Sequence, residues 1–236
     1  MTAAQLPDGR AAELADALAG LEQRLDAACV AARRQRADVL LVAVTKTRPA
    51  SDVRLLQSLG LADMGENRDQ EARAKAAEVP DVRWHFVGGL QTNKARSVAT
   101  YADVVHSVDR PELVAALSAG AQRADRRLDV LLQVSLDGDP ARGGVRVEDV
   151  PALAEAAAGA PGLRLAGVMA VAPLGADPDR AFAELAAVRA RLLEAHPGAT
   201  AMSAGMSGDL EQAVARGATH VRVGTALLGA RAPVSR

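Results

Sequence analysis

The feature that most constrains this chain is a repeated alternation of short apolar runs with amphipathic segments. Each apolar run has the length and composition of a strand that is covered on both faces. Strict alternation of strands with intervals long enough for a helix is typical of parallel β-α-β units. The predicted strands are Val39–Thr45, Ala62–Met64, Arg83–Val87, Val104–Val108, Asp129–Ser135, Arg164–Ala170, Thr200–Ser203 and His220–Val223.

The intervals between the strands have helical patterns, and another helix precedes the first strand. Leucines at near-helical spacing, followed by Val30, predict that this first helix covers Arg10–Arg36. Eight strand-and-helix units in 236 residues favour one α/β domain, a TIM-type (β/α)8 barrel with an additional N-terminal helix, over a doubly wound open sheet. The later helices are predicted at Ala50–Ser58, Arg68–Glu78, Pro111–Ala124, Val147–Ala158, Asp179–Glu194 and Asp209–Arg216.

Composition narrows the class of protein further. The formal net charge of -1 argues against a dedicated nucleic-acid partner. The sequence has neither a signal-peptide pattern nor an apolar run long enough to span a bilayer. A single cysteine, Cys29, allows no disulfide or CxxC metal site within the chain, so we expect a cytoplasmic protein without a metal or a membrane partner.

In a barrel of this kind, active sites lie at the carboxyl ends of the strands. The run LLVAVTKTRP places Lys46 at the end of strand one. Most lysines at the end of a strand are simply exposed to solvent, and that explanation is open as long as the run is considered alone. The alternative is a reactive amine in the mouth of the barrel.

The loops after strands seven and eight resemble a phosphate-binding site. In SAGMSGDL, small residues permit a close turn, and Ser207 could cap a helix that opens at Gly208 and Asp209. In VGTALLG, Gly224 permits close approach and Thr225 offers a hydroxyl beside another helix start. Barrels often bind phosphate after these two strands, although ordinary Gly/Ser-rich turns remain the alternative.

Closure of the barrel would place strand one beside strand eight. Lys46 and a bound phosphate would then reach the same small ligand. A phosphorylated aldehyde could form a Schiff base with the lysine while the loops hold its phosphate, and pyridoxal 5′-phosphate is the common biological molecule of that kind.

Six stretches of the sequence together closely resemble the pyridoxal phosphate homeostasis protein family. They are AVTKTRP, GENRDQE, WHFVGGLQTNK, HSVDR, GVMAV and the run from Ser203 to Arg231, and they follow one another in the family's order from Val39 onward. The resemblance implies a single-domain barrel similar to the N-terminal domain of alanine racemase. We also expect a flexible N-terminus over 1–9, a pyridoxal phosphate-binding barrel over 10–231, a C-terminal tail over 232–236 and a monomeric protein.

The resemblance implies a role for each residue that matches a family motif. Lys46 matches the Schiff-base lysine, and Arg222 matches the arginine that faces the pyridine nitrogen. The phosphate cradle would combine the loop after strand seven with Gly224 and Thr225. The complete implied set of cofactor-binding residues is Lys46, Val44, Asn67, His85, Met169, Ser203, Met206, Ser207, Arg222, Gly224 and Thr225.

The residues argue for a carrier of the cofactor rather than an enzyme. Racemisation needs a second base opposite the lysine, yet Tyr101 precedes strand four and His85 lies within a strand, where histidines usually pack or orient a ligand. Arg222 cannot share a proton with the ring nitrogen, which weakens the cofactor as an electron sink. We therefore expect no catalytic residues, a role in vitamin B6 homeostasis and pyridoxal phosphate-dependent apoenzymes as partners. A weak amino-acid racemase, or an enzyme that uses Lys46 as an aldolase-type lysine, is the alternative.

Overall fold

The structure is a computed structural model that describes residues 8–229, and within them eight parallel strands close into a barrel. The strands follow one another around the barrel in sequence order, and β8 pairs with β1. This closure confirms the predicted single-domain barrel and excludes the open sheet. The strands are β1 Leu40–Val44, β2 Asp63–Glu66, β3 Arg83–Phe86, β4 Val104–Val108, β5 Leu128–Gln133, β6 Leu163–Met169, β7 Ala201–Ser203 and β8 His220–Val223.

Helices surround the barrel, and the predicted additional N-terminal helix is confirmed. The α-helices of the described residues are α1 Asp8–Ala31, α2 Ala50–Ser58, α3 Asp69–Glu78, α4 Ala95–Val98, α5 Pro111–Arg123, α6 Val150–Ala158, α7 Pro178–Ala195, α8 Leu210–Ala215 and α9 Thr225–Leu228. Residues 1–7 and 230–236 lie outside the described part, so the predicted terminal segments and domain boundaries stay predictions.

Two predicted details of α1 are wrong. The helix ends at Ala31 rather than Arg36, and Val30 is 76 % exposed although its spacing predicts a place in the apolar stripe. The stripe runs through Leu21 and Leu25 to Cys29, which is 1 % exposed, because a helical face continues four residues after Leu25.

The second strand also differs from its predicted bounds. It begins one residue later and continues through Gly65 and Glu66, which sequence reasoning had assigned to the following loop. A carboxylate can occupy a buried strand position when a cation meets it, and Lys75 of α3 makes an ion pair with Glu66. The end of β2 therefore depends on a tertiary contact, the ion pair between Glu66 and Lys75.

The interior of the barrel is more polar than the layer between the sheet and the helices. The outer layer contains the main apolar core, including Leu56, Trp84 and Phe182. Inside the barrel a small separate apolar cluster is formed by Val104, Leu131, Met169 and Ala201. The buried polar residues of the strands include Asp63, His85, His106, Ser203 and Arg222.

Two further findings concern the described residues alone. Within residues 8–229, no helix has both the length and the apolar character needed to cross a membrane. Over the same range, no three His, Cys, Asp or Glu side chains converge as a metal-binding group.

Candidate functional site

The carboxyl ends of β1 and β8 approach each other closely. Four consecutive residue pairs join the strands, ending with Ala43 opposite Val223, so Val44 and Gly224 are the next neighbours. A Cβ atom on Gly224 would lie 3.3 Å from the carbonyl oxygen of Val44, which is tighter than ordinary packing. Lys46 follows two residues after Val44, and the predicted placement of the lysine beside the end of β8 is confirmed.

The backbone on both sides of Lys46 is held by one group of charged side chains. Before the lysine, the carbonyl oxygen of Thr45 accepts a hydrogen bond of 2.8 Å from Lys75 Nζ. After it, the N–H of Thr47 donates to Glu71 Oε1 at 2.5 Å. Thr47 has a φ of 64°, a left-handed conformation that costs free energy for a β-branched residue.

Lys75 connects these contacts into one group, which we call the Lys75 cluster and which consists of Lys75, Glu66, Glu71 and Thr45. Its Nζ also donates to Glu66 Oε1 at 2.6 Å and to Glu71 Oε1 at 2.7 Å. Thr45 Oγ1 donates to Glu66 Oε1 as well. Burial raises the pKa of Glu66, while the hydrogen bonds from Lys75 and Thr45 oppose that shift.

Arg222 lies inside the barrel and is a buried residue, 5 % exposed. Its Nη1 donates to Ser203 Oγ at 2.6 Å, and its Nη2 donates to the carbonyl oxygen of Ala170 at 3.0 Å. Burial lowers the pKa of Arg222 to about 10, which leaves the side chain protonated at neutral pH. The site therefore contains a fixed, charged hydrogen-bond donor.

The loops that follow β7 and β8 are joined by a hydrogen bond. The N–H of Ala226, in the first turn of α9, donates to Ser207 Oγ at 3.2 Å. The prediction that Ser207 caps α8 is wrong, because Asp209 occupies that position and its carboxylate accepts instead from the N–H of Met206 at 2.6 Å. Thr225 begins α9, as predicted. The two loops thus form one continuous rim.

His85 is enclosed inside the barrel, and both of its ring nitrogens have hydrogen-bond partners. It is 1 % exposed, and its Nε2 lies 2.8 Å from Asp63 Oδ1 while its Nδ1 lies 2.9 Å from His106 Nε2. Burial lowers the pKa of His85 despite the nearby carboxylate of Asp63, so the ring is neutral at neutral pH. Its predicted contact with the cofactor stays a prediction.

The remaining predicted residues lie around the mouth and the upper interior. Met169 is buried and pairs with Ser203 between β6 and β7, and Val44 is half-buried. Met206 is 39 % exposed on the rim. Asn67 follows β2 and lines a cavity of about 660 Å³ that extends to Lys94. The contacts of these four residues with the cofactor stay predictions.

Sequence reasoning missed the residues that support the site. His106 and Asp63 form part of the buried interior, and Lys75 and Glu71 hold the lysine-bearing loop. Their sequence signals were weak: a histidine within the apolar strand VVHSV, and a Glu–Lys pair four residues apart on a helix. Such pairs are usually exposed, and only the fold shows that Lys75 is buried.

The fold and this arrangement define a barrel of the alanine racemase N-terminal type. The family model described as "Alanine racemase, N-terminal domain" matches residues 21–232, most of the chain. The class is therefore a racemase-type barrel whose lysine follows the first strand.

The particular family follows from closer relatives. A "Pyridoxal phosphate homeostasis protein" of Corynebacterium glutamicum is 44 % identical over 218 residues, which cover 89 % of this chain and 99 % of that protein. A crystal structure of an unknown protein from Bifidobacterium adolescentis has a TM-score of 0.88 at 30 % identity and covers 94 % of this chain and 97 % of its own. PipY of Synechococcus elongatus with PLP bound has a TM-score of 0.78 at 36 % identity and covers 92 % and 100 %. The chain belongs to the pyridoxal phosphate homeostasis protein family.

Proposed function

We propose that this protein binds pyridoxal 5′-phosphate as a Schiff base on Lys46 and acts in intracellular vitamin B6 homeostasis without catalysis of its own. The observation that carries the proposal is the convergence of the Lys46 loop with the rim that follows β7 and β8, at one end of the barrel. Membership of the family supports it, as does PipY, which is 36 % identical and has a structure with PLP bound.

The residues present fit this cofactor. Gly224 leaves space against Val44 where a side chain would intrude, so a phosphate could approach the backbone closely. α9 begins on this rim at Thr225, and the hydrogen bond from the N–H of Ala226 to Ser207 Oγ brings its first turn against the loop that follows β7. Arg222 supplies a protonated donor for the pyridine nitrogen.

Each part of the site has a distinct task in this proposal. When bound, the cofactor would supply an aldehyde, and Lys46 would provide the amine that holds it as an imine, with release of one water molecule. Ser203, Met206, Ser207, Gly224 and Thr225 would surround the phosphate. Arg222 would donate to the ring nitrogen, while Val44, Met169, Asn67 and His85 are the remaining proposed neighbours of the cofactor.

Two placements and one predicted contact support a non-catalytic role. Tyr101 belongs to the core between the barrel and the helices. Both ring nitrogens of His85 already have partners, which makes this histidine a poor proton acceptor for a substrate. With Arg222 at the ring nitrogen, that nitrogen would also stay unprotonated, which would restrain carbanion chemistry.

The experiment that tests the proposal is chemical trapping on Lys46. The purified protein is incubated with pyridoxal phosphate and reduced with borohydride, and the modified peptide is mapped by mass spectrometry. We expect a pyridoxyl adduct on Lys46, and we expect Lys46→Ala to lose it. Lys94→Ala, an exposed lysine at the 660 Å³ cavity, is the matched control and should retain the adduct.

A second measurement separates the carrier from the racemase. Each enantiomer of several amino acids is added to the loaded protein in deuterated water, and the α-proton signal is followed by NMR. A carrier leaves the α-proton in place, whereas exchange that disappears in Lys46→Ala would establish an enzyme and overturn the non-catalytic role.

The proposal also covers the location, the oligomeric state and the partners of the protein. We expect a cytoplasmic monomer that comprises the barrel over 10–231 and that passes its cofactor to pyridoxal phosphate-dependent apoenzymes. Light scattering tests the monomer. Transfer is tested by mixing the loaded protein with an apoenzyme, because direct delivery proceeds faster than release of the cofactor into buffer.

A further inference from the structure

A series of four hydrogen bonds crosses the barrel interior from Arg222 to Asp63. Arg222 Nη1 lies 2.6 Å from Ser203 Oγ, which lies 2.9 Å from His106 Nδ1. His106 Nε2 lies 2.9 Å from His85 Nδ1, and His85 Nε2 lies 2.8 Å from Asp63 Oδ1. We call these five residues the interior chain; they come from β8, β7, β4, β3 and β2.

The two ends of the interior chain determine its direction. A guanidinium only donates hydrogen bonds, and a carboxylate only accepts them. Ser203 and the two histidines each have one donor and one acceptor to use here. Every proton must therefore point from Arg222 toward Asp63, which places a proton on Nε2 and none on Nδ1 in both His106 and His85.

Burial strengthens the electrostatic interactions along the interior chain. His106 and Ser203 are fully buried and His85 is 1 % exposed, so water does not screen the middle of the interior chain, while the Asp63 side chain at its end is 12 % exposed. Burial lowers the pKa of both histidines, which keeps them neutral at neutral pH. The other charged or titratable groups that act on the interior chain are Arg83, Asp103, Asp209 and His220.

We propose that Asp63 is the remote counter-charge of Arg222, and that His85 and His106 are positioning residues that transmit this charge through Ser203. The interior chain holds the guanidinium in place, keeps it protonated and reduces its strength as a donor toward a ligand. The ligand part of this inference rests on the proposed function, in which Arg222 faces the pyridine nitrogen. It gives His85 a task that needs no contact with the cofactor.

The first test needs neither a variant nor a ligand. Long-range ¹H–¹⁵N spectra of the unliganded protein identify the tautomer of each histidine. We expect both His85 and His106 to carry their proton on Nε2. A proton on Nδ1 of either ring at neutral pH would reverse the direction and overturn the proposal.

The second test removes the charge while preserving shape. In Asp63→Asn the amide oxygen can still accept from His85, so the fold is retained but the counter-charge is lost. We expect the ¹³Cζ titration midpoint of Arg222 to fall by about one pH unit, the size of a unit charge acting across several residues at intermediate dielectric. The matched control is Asp129→Asn, which is equally exposed at 9 % and pairs with Arg83 and Arg164.

The control should leave the midpoint within about 0.3 pH units of wild type, because Asp129 is bonded to Arg83 and Arg164, whose side chains are 42 % and 55 % exposed, so that water screens the charges of this group. Equal shifts in both variants would show a general electrostatic effect and overturn the role of the interior chain. An unchanged midpoint in Asp63→Asn would also overturn it, because the histidine tautomers are expected to stay the same in this variant.

A third measurement connects the interior chain with the ligand. With pyridoxal phosphate labelled at its ring nitrogen, Asp63→Asn should move the ¹⁵N resonance toward stronger hydrogen bonding, and Asp129→Asn should leave it in place. If wild type fails to bind pyridoxal phosphate, the proposed function fails while the first two tests still decide the interior chain. If wild type binds but the resonance moves in neither variant, the proposed effect on the ligand is wrong.

Discussion

Lys46 follows β1 and Arg222 lies on the neighbouring strand β8, and the contacts that support these two cations differ in kind. Around Lys46, charged side chains hold the backbone of Thr45 and Thr47. At Arg222, hydrogen bonds reach the guanidinium itself. The contacts around Lys46 fix the backbone from which its side chain extends. The contacts at Arg222 fix the guanidinium at the far end of its side chain.

The two supports also use charge differently. The Lys75 cluster brings one cation against two carboxylates on the outer side of β2, with direct ion pairs of 2.6 and 2.7 Å. The interior chain separates its charges by three neutral residues. In the proposed function, the Lys46 amine would form and break a covalent bond and needs a fixed backbone. Arg222 would donate to the pyridine ring and needs a fixed donor direction. The comparison teaches that one barrel can support one cation through its backbone and a neighbouring cation through its side chain.

The largest effect should come from removal of the cation in the Lys75 cluster. Lys75→Met leaves Glu66 buried without its partner, and we expect the free energy of unfolding to fall by about 3–5 kcal/mol. The side chains of this pair are 6 % and 1 % exposed. Urea denaturation followed by circular dichroism measures the loss.

The matched control is Arg54→Met. Arg54 pairs with Glu78, but these side chains are 47 % and 55 % exposed, so its removal should cost less than about 1 kcal/mol. Adding Glu66→Gln to Lys75→Met should restore part of the loss. If Lys75→Met costs no more than the control, the backbone around Lys46 does not depend on the cluster.

The next largest effect should be a fall in the free energy of unfolding at acid pH that originates in the barrel interior. Burial, with a smaller effect from His85, lowers the pKa of His220 from 6.5 to about 4. Since the unfolded chain takes up the proton first, this contribution to stability is present above pH 6.5 and is lost as the pH falls toward 4. We expect His220→Gln to lose about 2 kcal/mol less than wild type over that interval, measured by urea denaturation at each pH. Parallel losses would show that His220 is not the group responsible.

The smallest expected effect concerns strain beside Lys46. Thr47→Gly removes a β-branched side chain from a φ of 64° and should raise the free energy of unfolding by about 1 kcal/mol. Thr100→Gly, an exposed site that is not among the positive-φ residues, should lower it instead. A loss of stability in Thr47→Gly would mean that the left-handed turn carries no strain. Thermal unfolding measures both variants.

Sequence patterns predicted the barrel well because they depend on local properties. Apolar runs and helical spacing locate eight strands and most helices within a few residues. The wrong details are those that tertiary contacts decide. Val30 fits an apolar pattern but faces solvent, Glu66 looks like a loop residue but lies in a strand, and Ser207 bonds to Ala226 instead of capping α8.

The candidate site shows the same division. Lys46 and the two loops were predicted because barrel closure brings the strand ends together, whereas Arg222 was predicted from the family resemblance. His106, Asp63 and Lys75 were missed because their partners lie far away in the sequence, and nothing local distinguishes a buried histidine or lysine from an exposed one.

By itself, the sequence determined the class of fold, the order of the strands and the end of the barrel at which Lys46 and the two loops meet, because these follow from periodicity and from the geometry of parallel β-α-β units. Only the tertiary structure decided how the two cations are supported. Hydrogen bonds and ion pairs depend on distances of about 3 Å between residues from different strands, and such distances exist only after the barrel has closed.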